Sequence, residues 1–351
     1  MIDELKNQAI ELLIQLIKTP SFSKEEDDTA TIIEQFFNSN NIHYTRKLNN
    51  IFAFNKQYSE DKKTILLNSH HDTVKPGNWI YDPFGATIEG DKLIGLGSND
   101  AGASVVSLLA TFCYFYDKKL PYNLIIAITA EEEISGVNGI KSILPELGKI
   151  ELGIVGEPTQ MQMAIAEKGL IVLDCETHGK TGHAARNEGV NAIYEAFDDL
   201  NWFRTYQFDK ISDLLGPTKM TVTQIEAGKQ HNVIPDVCRY VVDIRTNELY
   251  SNVEVIDFIT QQIKGKITPR SYHLNSSRIS PDHAIVLKGK QLGLSTYGSP
   301  TLSDQSVMDF ETIKIGPGDS ARSHTPDEFI YLEEIRNGID LYIKILSNLE
   351  F

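Results

Sequence analysis

The spacing of hydrophobic residues along this chain predicts an α/β protein. Residues 2–18 and 27–39 carry apolar side chains at helical spacing, and a third helix fits residues 101–117. Residues 63–68 are predicted to form a short apolar strand, and the run 124–128 is apolar throughout, which is typical of a strand that is buried on both faces of a sheet. Such strands, alternating with helices, indicate a mostly parallel sheet flanked by helices. Further strands are predicted near residues 42–46, 51–54 and 151–155.

The pattern changes near residue 168 and returns to the α/β type near residue 282. Between these points, apolar strands and helices follow one another in the order β-α-β-β-α-β, which is typical of a ferredoxin-like α+β domain. The predicted strands are 170–177, 219–225, 239–245 and 270–275, and the predicted helices are 189–205 and 252–264. We therefore expect one domain formed by residues 1–167 and 281–351, with residues 168–280 inserted as a second, smaller domain.

Composition and charge narrow the class of protein. The chain has 351 residues, 41% of them hydrophobic, and a formal net charge of −15. This charge argues against binding to nucleic acids or to anionic membrane surfaces, both of which require basic patches. No apolar run approaches the roughly 20 residues needed to span a bilayer. The three cysteines are far apart, so we expect reduced thiols and a cytoplasmic protein without a signal peptide.

The first candidate for chemistry lies at the end of the apolar run 63–68. His70 and Asp72 are two residues apart, so strand alternation places their side chains on one face and His71 on the other. An imidazole held in this way can bind a metal through one nitrogen while the other nitrogen donates to the carboxylate. An ordinary His–Asp pair at the end of a strand would give the same pattern.

Four further segments with acidic or imidazole side chains follow predicted strands. Asp100 lies in a glycine-rich turn, three glutamates occupy residues 131–133, Glu157 follows a buried strand, and His324 lies in a loop rich in glycine and proline. In open α/β sheets, ligands bind at the carboxyl ends of the strands. Taken singly, Asp100 could cap a helix, the three glutamates could form a solvated turn, and Glu157 could belong to a polar turn.

Taken together, these residue types suit a hydrolase that uses two metal ions. Imidazole and carboxylate groups are common ligands of Zn²⁺, and the absence of cysteine ligands argues against a closed structural site. Two Zn²⁺ ions that share one carboxylate can hold a hydroxide between them. Two dications, three ligating carboxylates and one hydroxide also balance in charge. We expect two Zn²⁺ ions per chain, which Co²⁺ could replace.

Five segments, in order along the chain, resemble the motifs of the co-catalytic zinc aminoacylase/carboxypeptidase family. That family includes acetylornithine deacetylase, succinyl-diaminopimelate desuccinylase and glutamate carboxypeptidase. The resemblance covers essentially the whole chain and implies a catalytic domain with an inserted lid domain through which the protein forms a homodimer. The segments are His70-x-Asp72, Gly97-x-Asn99-Asp100, Glu131-Glu132-Glu133, Gly156-Glu157-Pro158-Thr159 and His324-Thr-Pro-Asp-Glu.

The resemblance implies two sets of metal ligands that share one carboxylate. One metal would be held by His70, Asp100 and Glu157. The other would be held by Asp100, Glu133 and His324, so that Asp100 bridges the two ions. In this family the peptide bond after the bridging residue is often cis.

The resemblance also implies roles for the residues beside the ligands. Asp72 would orient His70, and Glu132 would be the general base. Many members of the family have Asp immediately before the base, where this chain has Glu131. We expect this difference to have no effect on the role of the site.

Four residues are candidates for contact with substrate. His183 matches a lid histidine that stabilises the oxyanion, often from the partner subunit, and Asn232 matches an asparagine that contacts substrate. Arg245 matches a position that can bind a substrate carboxylate, because guanidinium offers a planar, bidentate fork. Arg322 lies two residues before a predicted ligand and could face the substrate. His183 could instead be a histidine at the start of a helix, and both arginines could be surface residues.

The predicted function is zinc-dependent hydrolysis of the amide bond of a small N-acyl amino acid. The loop that carries His324 is most similar to acetylornithine deacetylases, which points to N-acetylornithine, or to N-acyl-citrulline or N-acyl-lysine, and to arginine biosynthesis. Alternatives in the same class are a succinyl-diaminopimelate desuccinylase and a general aminoacylase or dipeptidase. An alternative from another class is a catalytically silent metal-binding protein on this fold.

Overall fold

A computed structural model describes residues 2–350 of the chain, which fold as two compact units. The larger unit comprises Met1–Ile165, Arg278–Tyr297 and Ser303–Phe351, and the smaller unit comprises Ala166–Ser277 and Gly298–Leu302. The boundaries near residues 165 and 277 lie a few residues before the ones expected from the sequence. The short segment Gly298–Leu302 belongs to the smaller unit, although the sequence pattern placed it in the larger domain.

The secondary structure is numbered here in chain order. The α-helices are α1 (Ile2–Ile17), α2 (Asp27–Ser39), α3 (Ala103–Phe115), α4 (Ile140–Ile143), α5 (Ala192–Thr205), α6 (Asn252–Gln262), α7 (Ala284–Gln291) and α8 (Leu332–Leu346). The strands are β1 (Thr45–Lys47), β2 (Asn50–Phe54), β3 (Thr64–His70), β4 (Thr87–Glu89), β5 (Lys92–Ile94), β6 (Asn123–Thr129), β7 (Leu152–Val155), β8 (Met163–Glu167), β9 (Gly169–His178), β10 (Lys219–Ala227), β11 (Val237–Thr246), β12 (Lys266–Pro269), β13 (Ser277–Arg278), β14 (Thr296–Ser299), β15 (Thr312–Lys314) and β16 (Phe329–Tyr331).

The larger unit is built on a sheet whose central strands are parallel. The sheet runs in the order β1-β2-β6-β3-β7-β15-β8-β13, with β14 beside β8. Strands β6, β3, β7 and β15 pair in parallel, whereas β1, β2 and β8 are antiparallel to their neighbours. Every residue of β3 and β6 is buried, which explains their continuous apolar sequences. The predicted sheet flanked by helices is confirmed.

Apolar packing fixes the helices against this sheet. Helix α3 packs against β3 and β6. Ile140 and Ile143 of α4 pack with Leu66 of β3 and Ile125 of β6 in one buried cluster. A separate three-stranded sheet has the order β16-β5-β4. Gly95, which follows β5 and leads into the loop that carries Asp100, donates its N–H to the Glu328 carbonyl at 3.0 Å, so that loop begins beside this sheet.

The smaller unit has the ferredoxin-like topology that the sequence predicts. Its strands pair antiparallel in the order β10-β11-β9-β12, and α5 and α6 contribute to its core. Alternation in β9 places Ile171, Leu173 and Cys175 in that core, while the intervening residues face outward. Strand β10 forms a free edge of this sheet, next to β11, and its residues are mostly exposed.

Three predicted elements differ from the structure. The strand predicted at 270–275 is wrong, because Ile267 is the side chain that packs on the core and β12 ends at Pro269, whose ring lacks an N–H for the ladder. The strand predicted at 42–46 begins instead at Thr45. The helix predicted from residue 101 begins at Ala103, because Ser98–Gly102 form a wider, irregular turn.

Two further observations concern the setting of the protein. Within residues 2–350, no helix combines the length and the apolar character that crossing a bilayer requires. The three cysteines are free, and Cys175 and Cys238 are buried.

A buried carboxylate in the smaller unit generates a test of its stability. Asp199 of α5 accepts the N–H groups of Lys264 at 3.0 Å and Gly265 at 2.8 Å, and the Tyr240 hydroxyl at 3.2 Å. We expect Asp199→Ala to lower the free energy of unfolding by about 2–4 kcal/mol, because buried donors lose their acceptor. The matched control is the exposed neighbour Asp198, whose replacement by Ala should cost less than about 0.5 kcal/mol. Urea unfolding followed by tryptophan fluorescence in a Trp79→Phe background, which leaves Trp202 of the smaller unit as the reporter, measures both values, and equal losses would contradict the expectation.

Candidate active site

The residues predicted to carry chemistry in the larger unit follow neighbouring strands. His70 ends β3, Glu132 and Glu133 lie in a short 3₁₀ turn after β6, and Glu157 follows β7. Because β6, β3 and β7 are adjacent and parallel, their carboxyl ends meet at one edge of the sheet. Asp100 and His324 reach the same place from two loops.

His70 lies at the centre of the first group of candidate ligands. Its Nε2 atom is 3.4 Å from Asp100 Oδ1, 3.6 Å from Glu157 Oε1 and 3.8 Å from Glu132 Oε2. The side chain of His70 is almost fully buried. The three predicted ligands of the first metal are therefore together, with the predicted base beside them.

His324 lies at the centre of the second group. Its Nε2 atom is 2.9 Å from Glu133 Oε2 and 3.7 Å from Asp100 Oδ2. Asp100 thus directs one carboxylate oxygen to each histidine, as a bridging ligand would. All five predicted ligands converge in the larger unit.

The electrostatics of this cluster favour cations. Burial opposes charge on the His70 ring, yet nearby carboxylates, that of Glu132 foremost, raise the pKa of His70 well above its ordinary value. Burial and neighbouring carboxylates raise the pKa of Glu157 to about 8 and also raise the pKa of Glu132. Cations at this position would favour the charged form of these carboxylates.

The polar atoms of the cluster also fit a metal. Within residues 2–350, His70 Nε2 is buried and has no hydrogen-bond partner, although three carboxylates surround it. A buried polar atom without a partner is costly unless a ligand occupies the site. Imidazole and carboxylate donors are those that divalent transition metals such as Zn²⁺ accept.

Asp72 orients more of the site than its predicted partner alone. His70 Nδ1 lies 3.0 Å from the backbone oxygen of Asp72 and 3.4 Å from its carboxylate, which leaves Nε2 to face the cluster. The same carboxylate accepts the N–H groups of Glu132 at 3.0 Å and Glu133 at 3.2 Å, and the Ser23 hydroxyl at 2.7 Å. Asp72 therefore fixes both the imidazole and the turn that carries Glu132 and Glu133.

His71 faces away from the cluster, as strand alternation predicts. Its Nε2 atom lies 2.8 Å from the Asn49 carbonyl, and its Nδ1 atom lies 2.9 Å from the Thr29 hydroxyl. Burial lowers the pKa of His71 to about 4. This ring is therefore neutral near neutral pH and links β3 to the start of α2.

Two details of the motif segments are resolved by the structure. The expected cis peptide is confirmed between Asp100 and Ala101. Glu131 has a buried side chain that accepts the Asn138 side-chain amide at 2.9 Å, so it supports the loop after β6 and does not face His70.

Arg322, a candidate for contact with substrate, has partners within the larger unit. Its guanidinium donates to both carboxylate oxygens of Glu334, at 2.7 and 3.1 Å. The same group lies 4.6 Å from the ring centre of Phe329 and 5.2 Å from that of Tyr331. These contacts hold Arg322 in place just before His324, in the loop that leads to α8.

The other three candidates for contact with substrate belong to the smaller unit. His183 and Asn232 lie on paired segments, since Ala184 donates its N–H to the Asn232 carbonyl at 3.0 Å. Both side chains are exposed. Arg245 lies near the end of β11, whereas Val237 begins that strand, and the rise per residue of a strand puts the two about 27 Å apart. The guanidinium of Arg245 pairs with Asp243 at 2.9 and 3.0 Å. Within one smaller unit, Arg245 is therefore remote from His183 and Asn232.

Three residues near the cluster had no predicted role. Glu328 is buried and accepts the N–H groups of Gly97, Asn99 and Asp100. Burial and the Asp100 carboxylate raise the pKa of Glu328 to about 8. Asn99 connects the loops of Asp100 and His324, and Asp304 is a buried carboxyl that accepts the Thr129 hydroxyl at 2.8 Å. Asn99 and Glu328 both stand in segments that resemble the family motifs, which was the one signal for them. Asp304 resembles any residue that opens a turn.

Comparison with known proteins decides the family. The model of peptidase family M20/M25/M40 matches residues 66–348. The chain belongs to this family. The match extends from β3 to just beyond α8 and therefore includes every predicted metal ligand, the general-base candidate and the smaller unit.

Relatives with two activities resemble this family member at similar levels. Acetylornithine deacetylase from Pectobacterium carotovorum subsp. carotovorum (strain PC1) is 28% identical over an alignment of 376 positions that covers 97% of this chain and 97% of that protein. Succinyl-diaminopimelate desuccinylase 2 from Ruegeria sp. (strain TM1040) is 27% identical over 276 residues, which cover 73% and 69%. The chain is thus a metal-dependent amidohydrolase of the M20/M25/M40 family.

Solved structures share the fold over nearly the whole chain. Aminopeptidase PepT from Bacillus cereus ATCC 10987 has a TM-score of 0.77 and 18% identity, covering 97% of this chain and 98% of that one. The Bacillus subtilis YXEP protein, a dinuclear metal-binding peptidase of the M20 family, has a TM-score of 0.75 and 14% identity, covering 98% of both chains. At these identities the likeness concerns the fold alone.

Proposed function

We propose that this M20/M25/M40 family member hydrolyses the amide bond of a small N-acyl amino acid with two Zn²⁺ ions, and that N-acetylornithine is its substrate in arginine biosynthesis. The observation that carries the proposal is the convergence of two ligand groups on Asp100, with Glu132 beside them.

The residues divide the chemistry between them. The five ligands named above would hold two zinc ions, which would supply Lewis acidity toward the amide carbonyl and toward water. Glu132 accepts the proton of the attacking water at its carboxylate and returns it to the departing amine nitrogen. His183 donates an N–H to the oxyanion, and Asn232 contacts the same end of the substrate. Asp72 holds His70 and the turn of Glu132 in fixed positions relative to each other.

The choice of N-acetylornithine rests on the extent of similarity. The acetylornithine deacetylase aligns over 97% of both chains, whereas the desuccinylase aligns over 73% of this chain and 69% of that protein. Arg245 is the candidate for the substrate carboxylate, because its ion pair with Asp243 is partly exposed and open to exchange. The alternative is a succinyl-diaminopimelate desuccinylase, favoured by the several desuccinylases at 27–28% identity.

The proposed active form is a homodimer through the smaller unit. An N-acyl amino acid spans roughly 10 Å, so Arg245 and the pair His183 and Asn232 of one chain cannot all contact one substrate molecule. Two chains can supply them together. Support comes from the exposed aromatic pair Tyr194 and Phe197 on α5, whose ring centres are 5.6 Å apart. They are 67% and 55% exposed, and they lie on the helix that packs beside the free edge of β10.

Replacement of Glu132 tests the catalytic assignment. We expect Glu132→Gln to lower kcat by about 10²–10⁴-fold, because the water loses its proton acceptor. Zinc content should stay at the wild-type value, since Glu132 is not among the proposed ligands. The control is Glu131→Asp, which keeps the acceptor for Asn138 and should retain activity. Loss of zinc from Glu132→Gln, measured by elemental analysis, would show that base and ligand had been exchanged.

A deacylation screen with Zn²⁺ or Co²⁺ tests the substrate. We expect N-acetylornithine to give the highest kcat/KM among N-acetylornithine, N-acetylcitrulline, their succinyl counterparts, succinyl-diaminopimelate and a dipeptide. The highest value with succinyl-diaminopimelate or the dipeptide would replace the proposal by the corresponding alternative. No turnover of any compound by zinc-loaded protein would instead favour a catalytically silent metal-binding protein.

Replacement of the exposed aromatic pair tests the dimer. We expect the wild-type protein to have twice the chain mass by light scattering and the double variant Tyr194→Glu/Phe197→Glu to have the single-chain mass, because charged groups would be buried at the interface. The matched control is Val253→Glu, which places the same charge on the exposed face of α6. A wild-type monomer, or equal dissociation of both variants, would count against this interface.

A further inference from the structure

The two groups of candidate ligands are held in different ways. His70 ends a buried strand, its side chain is about 1% exposed, and Glu157 follows the neighbouring strand. His324 lies in a loop, has a φ of +57° and a side chain that is 55% exposed. The sheet therefore fixes His70 and Glu157 of the first group, whereas contacts between two loops must fix the distance from Asp100 to His324.

Glu328 makes the first set of these contacts. It is 2% exposed and follows His324 in the same loop. One carboxylate oxygen accepts the N–H groups of Asn99 and Asp100, both at 2.8 Å, and the other accepts the N–H of Gly97 at 3.1 Å. A single side chain of the His324 loop thus holds the backbone on which Asp100 is carried.

Asn99 makes the second set in the opposite direction. It is fully buried and precedes Asp100. Its Nδ2 donates to the Asp319 carbonyl at 3.1 Å and to the Ser323 hydroxyl at 3.4 Å, and its Oδ1 accepts the Asp319 N–H at 2.9 Å. The fit is close, because a Cβ atom at Gly318 would lie 2.4 Å from Asn99 Oδ1.

We propose that Asn99 and Glu328 are positioning residues that set the separation of Asp100 and His324, and thereby the affinity of the metal held by Asp100, Glu133 and His324. The inference rests on the proposed two-metal function. Neither residue is a proposed ligand, because the oxygens of Glu328 accept backbone N–H groups and the amide of Asn99 forms hydrogen bonds with the neighbouring loop. Partners of this kind typically change metal affinity by about 10–100-fold.

Stepwise binding of Zn²⁺ to the metal-free full chain, measured by equilibrium dialysis in a chelator buffer, tests the inference. Glu328→Gln keeps the shape of the side chain but turns an NH₂ group toward at least one N–H donor, and Asn99→Ala removes the contacts to Asp319 and Ser323. His324→Ala identifies which binding step belongs to the second group. We expect both positioning variants to weaken that step by about 10–100-fold, and the other step by much less.

The matched control is Glu151→Gln, because Glu151 also accepts a backbone N–H, that of Thr64 at 2.7 Å, at the opposite end of β3. It should leave both binding steps unchanged. Thermal unfolding of each metal-free variant is measured alongside. Unchanged steps in both positioning variants, or equal weakening of the two steps, would overturn the inference. If Glu328→Gln does not fold, Asn99→Ala decides the result.

The failure of the proposed function gives a different result. A wild-type chain that binds fewer than two Zn²⁺ ions would overturn the two-metal function and this inference with it. A wild-type chain that binds two ions, with unaffected positioning variants, would overturn the inference alone.

Discussion

Repulsion among crowded, partly buried carboxylates is the constraint on which the candidate site depends. Asp100, Glu132, Glu133 and Glu157 converge on the buried His70 and the more exposed His324. Like charges in such a place disfavour one another's ionised form, and burial disfavours it further. Two imidazoles cannot balance the cluster. Divalent cations would favour the charged form of these carboxylates, and the surrounding fold holds the carboxylates together where such cations can bind.

The hydrogen bonds of the carboxylates separate those that support the site from those that face it. Asp72 accepts two backbone N–H groups and Glu328 accepts three. Among the described residues, the carboxylates of Glu132 and Glu157 have no such donors. A carboxylate that accepts backbone N–H groups is held in its position by those hydrogen bonds, whereas a carboxylate without such donors remains available to a metal or a proton. The division follows the proposed roles of these residues without reference to any motif.

The sequence predicted the parts of this site that depend on local patterns. Strand alternation separated His70 from His71, and apolar runs located the strand ends that His70 and Glu157 follow. The contacts that were not predicted join residues far apart in the chain, such as Glu328 with Asp100. Local patterns carry no information on such pairs, because hydrogen bonding to a backbone N–H places no demand on the sequence of the donor. The position of β12 was missed for a related reason, since one core contact of Ile267 decided it.

The contacts of the two candidate carboxylate-binding arginines also distinguish a supporting residue from one that can face a substrate. Both are already in bidentate pairs, Arg245 with Asp243 and Arg322 with Glu334. The pair of Arg245 with Asp243 is partly exposed, so opening it costs less than opening a more buried pair. Arg322 is less exposed and also lies against Phe329 and Tyr331, so its displacement would lose cation–π contacts worth about 0.5–2 kcal/mol in addition. Of the two, we therefore propose Arg245 as the residue that exchanges its partner for a substrate, whereas Arg322 stabilises the loop of His324.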